Sequence, residues 1–275
     1  MDKVRLKKLV ESALQEDIVW GEITSELCIS SQSVTRAALV AKTDAVVCGI
    51  QPFAMCFKRL DAKTEIDVRK LEGSVVAPGD VVAYIQGRTR AILSAERTAL
   101  NFFCHMSGIA TATAKVMEKL EGTDCVVTDT RKTLPLLRMI EKHAVKVGGG
   151  MNHRFDLSSL VLIKDNHIKA AGSITEAINL ASAGVSHTMK IECEVTNASE
   201  AMEAAQAGAD IIMLDNMSPS MIAGIVGQLP DDVYIEASGG ITINNCREYA
   251  EAGVDVISMG SITHSAPYAN FSLEF

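Results

Sequence analysis

SEAMEAAQAGADIIMLDN, Ser199 to Asn216, holds the fold of the larger part of this chain in miniature. Its first half sets alanines and acids at helical spacing and ends in Ala-Gly, the sequence of a helix stopped by a left-handed glycine. An apolar run, Ile211 to Leu214, follows at once and ends in Asp215. A strand that apolar is a buried one, and a strand fed straight from a helix belongs to a parallel sheet.

The same unit recurs on both sides. CVVTDT, LVLIKD, KIECEV, VYIEASG and DVISMGS each read as a further buried strand, while ITEAINLASAG and NNCREYAEAGV read as helices with the same glycine ending. The later units repeat at roughly 20 to 25 residues, which suits the tight βα repeats of a barrel. GxGxxG and Walker A sequences are absent, so a dinucleotide or P-loop site has no support. The expected class is α/β. A parallel α/β barrel, incomplete in its strands, takes residues 111–275, and its last segment is free to return to the N-terminal domain.

Residues 1–110 have another texture and are expected to form an N-terminal α+β sandwich with a bridging helix. MDKVRLKKLVESALQED is an amphipathic helix pattern without the apolar core of a signal peptide. RAALVAKTDAVVCGI reads as strand, turn and strand. GSVVAPGDVVAYIQG is similar to the turn region of biotinyl and lipoyl domains but has no lysine at the hairpin tip, so only the sandwich shape is implied. From Ile92 to Lys119 the pattern is helical, with Ser94 as a candidate cap and Ser107-Gly108 as an expected break.

Composition narrows the partners. Aromatics are 4% and the net charge is -8, which argues against nucleic acid and against an anionic membrane surface. Seven cysteines lie scattered without CxxC or zinc-finger spacing, as in a reduced, cytoplasmic protein. The histidines His143, His153 and His167 have no metal-ligand spacing either, so no metal held mainly by side chains is assigned.

In an α/β barrel, function gathers at the C-terminal strand ends. Those ends carry Arg131 and Lys132, then Lys164, Glu194, Asp215, Ser238 with Gly239-Gly240, and Gly260-Ser261. Adjacent cations at the end of a buried strand are costly unless an anion meets them. The pair ASGGI and SMGSI reads as a phosphate cradle, against the plain alternative of two tight turns. Glu194 and Asp215 could serve ribose hydroxyls, Mg²⁺ through water, or developing positive charge; each could equally cap the helix that follows. Glu192 and Glu194 share one strand face, and the pattern does not choose between them. GGGMNHR, Gly148 to Arg154, would deliver His153 and Arg154 from a close-fitting loop.

Taken together, ERTALNFFCHMSGIAT, DTRKTLPLLRMIEKHAVKVGGGMNHR, VLIKDNHI, AGADIIMLDNM and EASGGITINNCREYAEAGVDVISMGSITHS closely resemble the quinolinate phosphoribosyltransferase family, over nearly the whole chain and in order. The resemblance implies transfer of a phosphoribosyl group from phosphoribosyl pyrophosphate (PRPP) to quinolinate, with loss of CO2 and with Mg²⁺, in de novo NAD biosynthesis. It implies that Arg131, His153, Arg154 and Lys164 hold the quinolinate carboxylates, with Lys132 between dicarboxylate and pyrophosphate. Glu194 and Asp215 would serve the ribose and Mg²⁺ side, and Ser238, Gly239, Gly240, Gly260 and Ser261 the 5′-phosphate. Lys132, Glu194 and Asp215 are then the residues expected at the chemistry. Arg97 would reach a neighbouring subunit's site, which implies a homodimer with shared active sites and leaves a hexamer open.

The chain departs from the family where Thr-Pro-Gly often follows DTRKT; here the residues are Leu134-Pro135-Leu136. Three rival readings differ in chemistry. A related protein of molybdenum-transport operons is expected to alter GGGMNHR and LIKDNH. A nicotinate or nicotinamide phosphoribosyltransferase would need fewer cations. A non-catalytic phosphate-metabolite sensor on the same barrel would bind without turnover.

Overall fold

The computed structural model describes residues 1–275. Its strands are β1 (Val34–Ala41), β2 (Ala45–Val46), β3 (Glu65–Val68), β4 (Val75–Val76), β5 (Val81–Arg88), β6 (Val126–Thr128), β7 (Val161–Ile163), β8 (Ile191–Val195), β9 (Ile211–Asp215), β10 (Tyr234–Ser238), β11 (Val256–Ser258) and β12 (Phe271–Glu274). The chain divides into two compact units. One comprises residues 1–114, 134–149 and 265–275; the other comprises residues 115–133 and 150–264.

In the first unit, β12, β1, β5 and β3 form an antiparallel sheet in that order, and β2 pairs with β4. The C-terminal strand therefore lies beside β1, with Leu39 opposite Leu273 and Ala41 opposite Phe271. The core of this unit is a chain of edge-to-face rings. Phe53 meets Phe57 at 5.0 Å and Phe103 at 5.4 Å, and Phe103 meets Phe271 at 4.8 Å. Each such pair contributes about 0.5–1.5 kcal/mol beyond its buried area.

The expected break at Ser107-Gly108 does not occur. Residues Thr89–Lys119 are one helix, and Ser94 lies inside it, its hydroxyl donating to the Arg90 carbonyl at 2.8 Å. Gly108 is there for space rather than for a turn, because a Cβ at that position would lie 2.1 Å from the Pro267 carbonyl oxygen. Ser107 is equally committed: its hydroxyl donates to the Cys48 carbonyl at 2.9 Å and accepts from the Cys48 N–H at 3.0 Å.

The second unit is the parallel α/β part. Its six strands run in the order β6-β11-β10-β9-β8-β7, a barrel left open between β6 and β7, as the strand count implied. Met151 extends the β6 edge through a parallel bridge to Thr128. The glycine endings are left-handed at Gly208 and Gly253, with φ of 94° and 96°, but not at Gly184, which stays within its helix while Val185 caps it.

Register and period 2 decide what faces the barrel axis. Glu192 pairs with Ile211 and Glu194 with Met213; Met213 pairs with Glu236 and Asp215 with Ser238; Ser238 in turn pairs with Ser258. These residues alternate along their strands with Cys193, Ile212, Leu214, Ile235, Ala237 and Ile257, all buried. Since successive strand side chains point to opposite faces, the apolar set packs under the helices. The carboxylates and serines are turned inward, in layers, as barrel interiors are built.

Candidate active site

The inward top layer opens into a cavity of about 370 Å³ lined by Thr130, Arg131, Lys132, His153, Arg154, Leu162, Lys164, Glu194, Met213, Asp215, Glu236, Ser238 and Ser258. Eight of the residues singled out from sequence thus meet in one place: Arg131, Lys132, His153, Arg154, Lys164, Glu194, Asp215 and Ser238. Arg131 and Lys132 come from the turn after β6, His153 and Arg154 from the segment after Met151, and the other four from the ends of β7 to β10.

The charge balance points to an anion. Four permanent cations line the cavity against three carboxylates, in a chain whose net charge is -8. Lys164 forms an ion pair with Glu194 on the adjacent strand. Arg154 is held below the usual guanidinium range, first by burial and next by the neighbouring Arg131. Its one firm partner is the Leu160 carbonyl at 3.2 Å. Two guanidiniums crowded at a half-desolvated wall repel each other, and an anion shared between them turns that cost into attraction.

The glycines sit at the rim. Gly239 has φ of +91°, and a Cβ there would lie 2.3 Å from Asn216 Oδ1. Asn216 is itself left-handed, φ 54°; its side-chain amide donates to Asp215 at 2.6 Å and its N–H to the Ser238 carbonyl at 2.8 Å. Gly240 follows with φ of +64°. Gly260 is packed on the Lys132 stem, 3.0 Å from Cδ for an added Cβ, and Ser261 opens the short helix Ser261–His264. Thr263 Oγ1 donates to the Lys132 carbonyl at 2.8 Å, so the last βα turn fixes the backbone of the cationic turn after β6. Successive backbone amides freed by glycine make a concavity suited to phosphate.

Three buried carboxylates also shape the site: Asp129 and Glu236, which the sequence does not single out, and Glu192, which it leaves level with Glu194. Asp129, with no exposed surface, accepts from Asn152 Nδ2 at 2.7 Å and from the His153 N–H at 2.9 Å, and this clamps the GGGMNHR turn to the end of β6. Glu192 and Glu236 lie one inward position below Glu194 and Ser238, 0% and 4% exposed. His153 stands between them: its Nε2 is 3.0 Å from Glu192 and 3.7 Å from Glu236. Its Nδ1 accepts from the Arg154 N–H at 2.8 Å, so both ring nitrogens have partners within the protein. Glu236 is pushed up to about 7, by burial first and by the charge of Glu192 next. The available signal was a glutamate inside an apolar strand, twice, which an ordinary core does not tolerate.

Arg97 belongs to the first unit, on the face of its long helix, and lines a cavity of about 420 Å³ with Asp17, Asn101, His105, Leu136 and Tyr268. A Cys48, Glu72 and His143 cluster also lies in that unit. Glu72 is spent there on capping: it accepts from the Gly49 and Ile50 N–H groups at 3.1 and 3.2 Å and meets His143 at 2.8 Å. Burial pushes the Cys48 thiol far up, so it stays a neutral thiol. His105 is buried against Glu141 at 2.9 Å, and His167 Nδ1 accepts from the Lys164 N–H at 3.0 Å; both are structural. No helix is long and apolar enough to cross a membrane.

Comparison with known proteins gives the same picture over the whole chain. Residues 22–107 match the N-terminal domain of quinolinate phosphoribosyl transferase and residues 109–274 its C-terminal domain. A probable nicotinate-nucleotide pyrophosphorylase [carboxylating] of Bacillus subtilis is 39% identical, covering 100% of this chain and 94% of its own. The nicotinate-nucleotide pyrophosphorylase [carboxylating] of Homo sapiens is 38% identical over 98% of this chain and 92% of its own. The crystal structure of NadC from Streptococcus pyogenes superposes with a TM-score of 0.97 at 38% identity, covering 100% and 97% of the two chains.

Proposed function

Because this chain belongs to the quinolinate phosphoribosyl transferase family, we propose that the barrel cavity binds quinolinate and PRPP and joins them. The reaction is decarboxylating phosphoribosyl transfer: quinolinate and PRPP give nicotinate mononucleotide, pyrophosphate and CO2, a step of NAD biosynthesis. The observation that carries this reading is the crowding of Arg131 and Arg154 beside Lys164 and Lys132 in one cavity of an acidic protein. A dicarboxylate and a pyrophosphate are the ligands that such a set favours.

Arg131, Arg154 and Lys164 hold the two carboxylates, with His153 at the floor beneath them. Planar guanidiniums take carboxylates in pairs of parallel hydrogen bonds, and Leu162 and Met213 give the ring an apolar bed. Lys132 lies between this subsite and the glycine rim, where Ser238, Gly239, Gly240, Gly260 and Ser261 take the 5′-phosphate. Holding the pyridine nitrogen against the sugar carbon removes an entropic barrier, as in other two-substrate sites. Positive charge develops on the ribose as pyrophosphate departs, and the carboxylates of Glu194 and Asp215 lie on that side to stabilise it.

Mg²⁺ fits these residues as an ion carried by its substrate. Glu194 and Asp215 offer hard oxygen donors, yet Glu194 is paired with Lys164 and Asp215 with Asn216, so contact through water suits them better than a closed protein cage. When bound, Mg²⁺ supplies neutralisation of the pyrophosphate charge. Arg97 is carried by the first unit, and the family resemblance has it reach the site of a second subunit in a homodimer. A cytoplasmic location agrees with seven free cysteines.

The test is quinolinate-dependent CO2 release and nicotinate mononucleotide formation with PRPP and Mg²⁺, in wild type and Arg131→Ala. Product from wild type and its near-complete loss in the variant are expected. Product from nicotinate but not quinolinate would make this a non-decarboxylating transferase, and tight PRPP binding without turnover would make it a sensor.

A further inference from the structure

Transfer of the ribosyl group leaves a nucleotide whose pyridine ring still carries the carboxylate at C2, beside the quaternised nitrogen. When the bond from C2 to that carboxylate breaks, CO2 leaves and the electron pair stays on C2, where the adjacent positive nitrogen stabilises it. One proton must then reach C2. The groups around the cavity differ sharply in their ability to give one.

Arg131 and Arg154 do not release protons under any ordinary condition. Lys164 is tied to Glu194, and Lys132 belongs to the rim, braced by Gly260 and Thr263. The Nε2 of His153 is directed to Glu192 at 3.0 Å and its Nδ1 is taken by the Arg154 N–H. Glu236 is different. Its Oε1 is buried without a hydrogen-bond partner in the cavity wall, a state shared there only by the hydroxyl of Ser258, which is too weak an acid for the step. A carboxylate oxygen so placed would cost several kcal/mol as an unpaired charge; carrying a proton and meeting a ligand removes that cost.

The same side chain lines a second cavity of about 270 Å³, together with His153 and Arg154, which line the first cavity too, and with Ile211, Tyr234 and Val256, the first residues of β9, β10 and β11. Glu236, His153 and Arg154 thus border both spaces, and of the three Glu236 is the carboxyl group. Register puts it about 6–7 Å, two residues of strand rise, below Ser238.

We propose that Glu236 is the acid that protonates C2 as the carboxylate leaves, and that it regains its proton through the second cavity. The proposal rests on the quinolinate reading given above. The proton on Glu236 Oε1 passes to C2, forming the C2–H bond of nicotinate mononucleotide; the carboxylate left behind takes a proton from solvent. Glu192, His153 and Lys164 are the charged and titratable groups that act on it, Glu192 opposing its ionisation and His153, the Ser258 hydroxyl and Lys164 favouring it. At neutral pH it is poised between its two forms, as a group that must give and regain a proton should be.

By microscopic reversibility, the enzyme should also remove that proton from product. Wild type incubated with nicotinate mononucleotide in D2O is expected to exchange the C2 hydrogen, followed by proton NMR. Glu236→Gln should slow the exchange by about 100-fold or more, the usual scale of general acid–base assistance, with nicotinate mononucleotide affinity by calorimetry unchanged. In a single turnover this variant should release pyrophosphate at the normal rate, with CO2 lagging and the carboxylated nucleotide accumulating.

Exchange as fast in Glu236→Gln as in wild type, or none in a wild type that makes nicotinate mononucleotide, overturns the proposal alone. A wild type that neither forms nor binds nicotinate mononucleotide overturns the functional reading and this proposal with it. If Glu236→Gln fails to fold, the pH profile of wild-type exchange decides: a rate titrating near neutrality supports the assignment, and a flat profile sinks it.

Discussion

Asn152 donates its side-chain amide to Asp129 at 2.7 Å, so a carboxylate with no exposed surface governs where the GGGMNHR turn lands. The His153 N–H meets the other oxygen at 2.9 Å, and His153 and Arg154 take their places from that anchor. Replacing Asp129 by Ala leaves two donors without their charged acceptor. Urea unfolding should show a loss of about 2–4 kcal/mol, on the scale of charged hydrogen bonds, and KM for quinolinate should rise more than KM for PRPP. Unchanged kinetics with lowered stability would separate the anchor from the site.

Lys164 and Glu194 come from neighbouring strands and are joined before any ligand binds. Removing either partner alone leaves a half-buried charge unmatched, so the single variants Lys164→Met and Glu194→Gln should each cost more than their share. A double-mutant cycle on kcat/KM is expected to give a coupling of about 1–3 kcal/mol, the range for residues in one network. Additive losses would mean that the two serve their ligands independently.

Gly239→Ala sets a side chain where φ is +91° and where Asn216 Oδ1 would be 2.3 Å away. Left-handed backbone costs an L-residue about 1–2 kcal/mol before the clash is counted. The rim should distort, and PRPP affinity by calorimetry should fall about tenfold or more, that energy converted. Quinolinate affinity should hardly move, since Arg131 and Arg154 are untouched.

Leu136 stands in left-handed backbone, φ 68°, where the family resemblance leads to the expectation of glycine. It is 90% exposed, so little burial offsets the strain. Leu136→Gly relieves about 1–2 kcal/mol of conformational cost and adds about 0.5–1 kcal/mol of glycine entropy. A net gain of roughly 0.5–1 kcal/mol in urea unfolding is expected. A loss would mean that Leu136 packs on something, and a second subunit is the candidate to check by sedimentation.

Gly108→Ala reverses a familiar sign. In an open helix the change would stabilise by about 1 kcal/mol. Here the new methyl would lie 2.1 Å from the Pro267 carbonyl oxygen, which the backbone must move to admit. Destabilisation of about 3 kcal/mol, in the upper range of overpacking, should appear as a lower Tm. A rise would show that the segment ending in β12 gives way freely.

The barrel was legible because its outer face is apolar without interruption. Ile212, Leu214, Ile235, Ala237 and Ile257 announce their strands, and Lys164, Asp215 and Ser238 mark where they end. The inner face was harder to read. Glu192 and Glu236 share strands with those same apolar residues, and period 2 alone does not tell a functional carboxylate from one bound for solvent; only register brings both to His153. Asp129 reads as the end of the strand CVVTDT, and nothing local reveals that it faces Asn152. Gly108 shows a further limit: a glycine that ends a helix and one that lets a carbonyl approach are the same letter.

The unbroken helix from Thr89 to Lys119 has a consequence for how such a chain can be cut or recombined. The two family matches end at residue 107 and begin at residue 109, which suggests a natural seam between exchangeable parts. That seam falls in mid-helix, at the one residue whose lack of a side chain Pro267 requires. A gene fragment ending there would expose a severed helix, and a chimera joined there would set one parent's helix against the other parent's Pro267 segment. Crossovers between relatives should therefore survive in the turn after Lys119 and be lost within the helix.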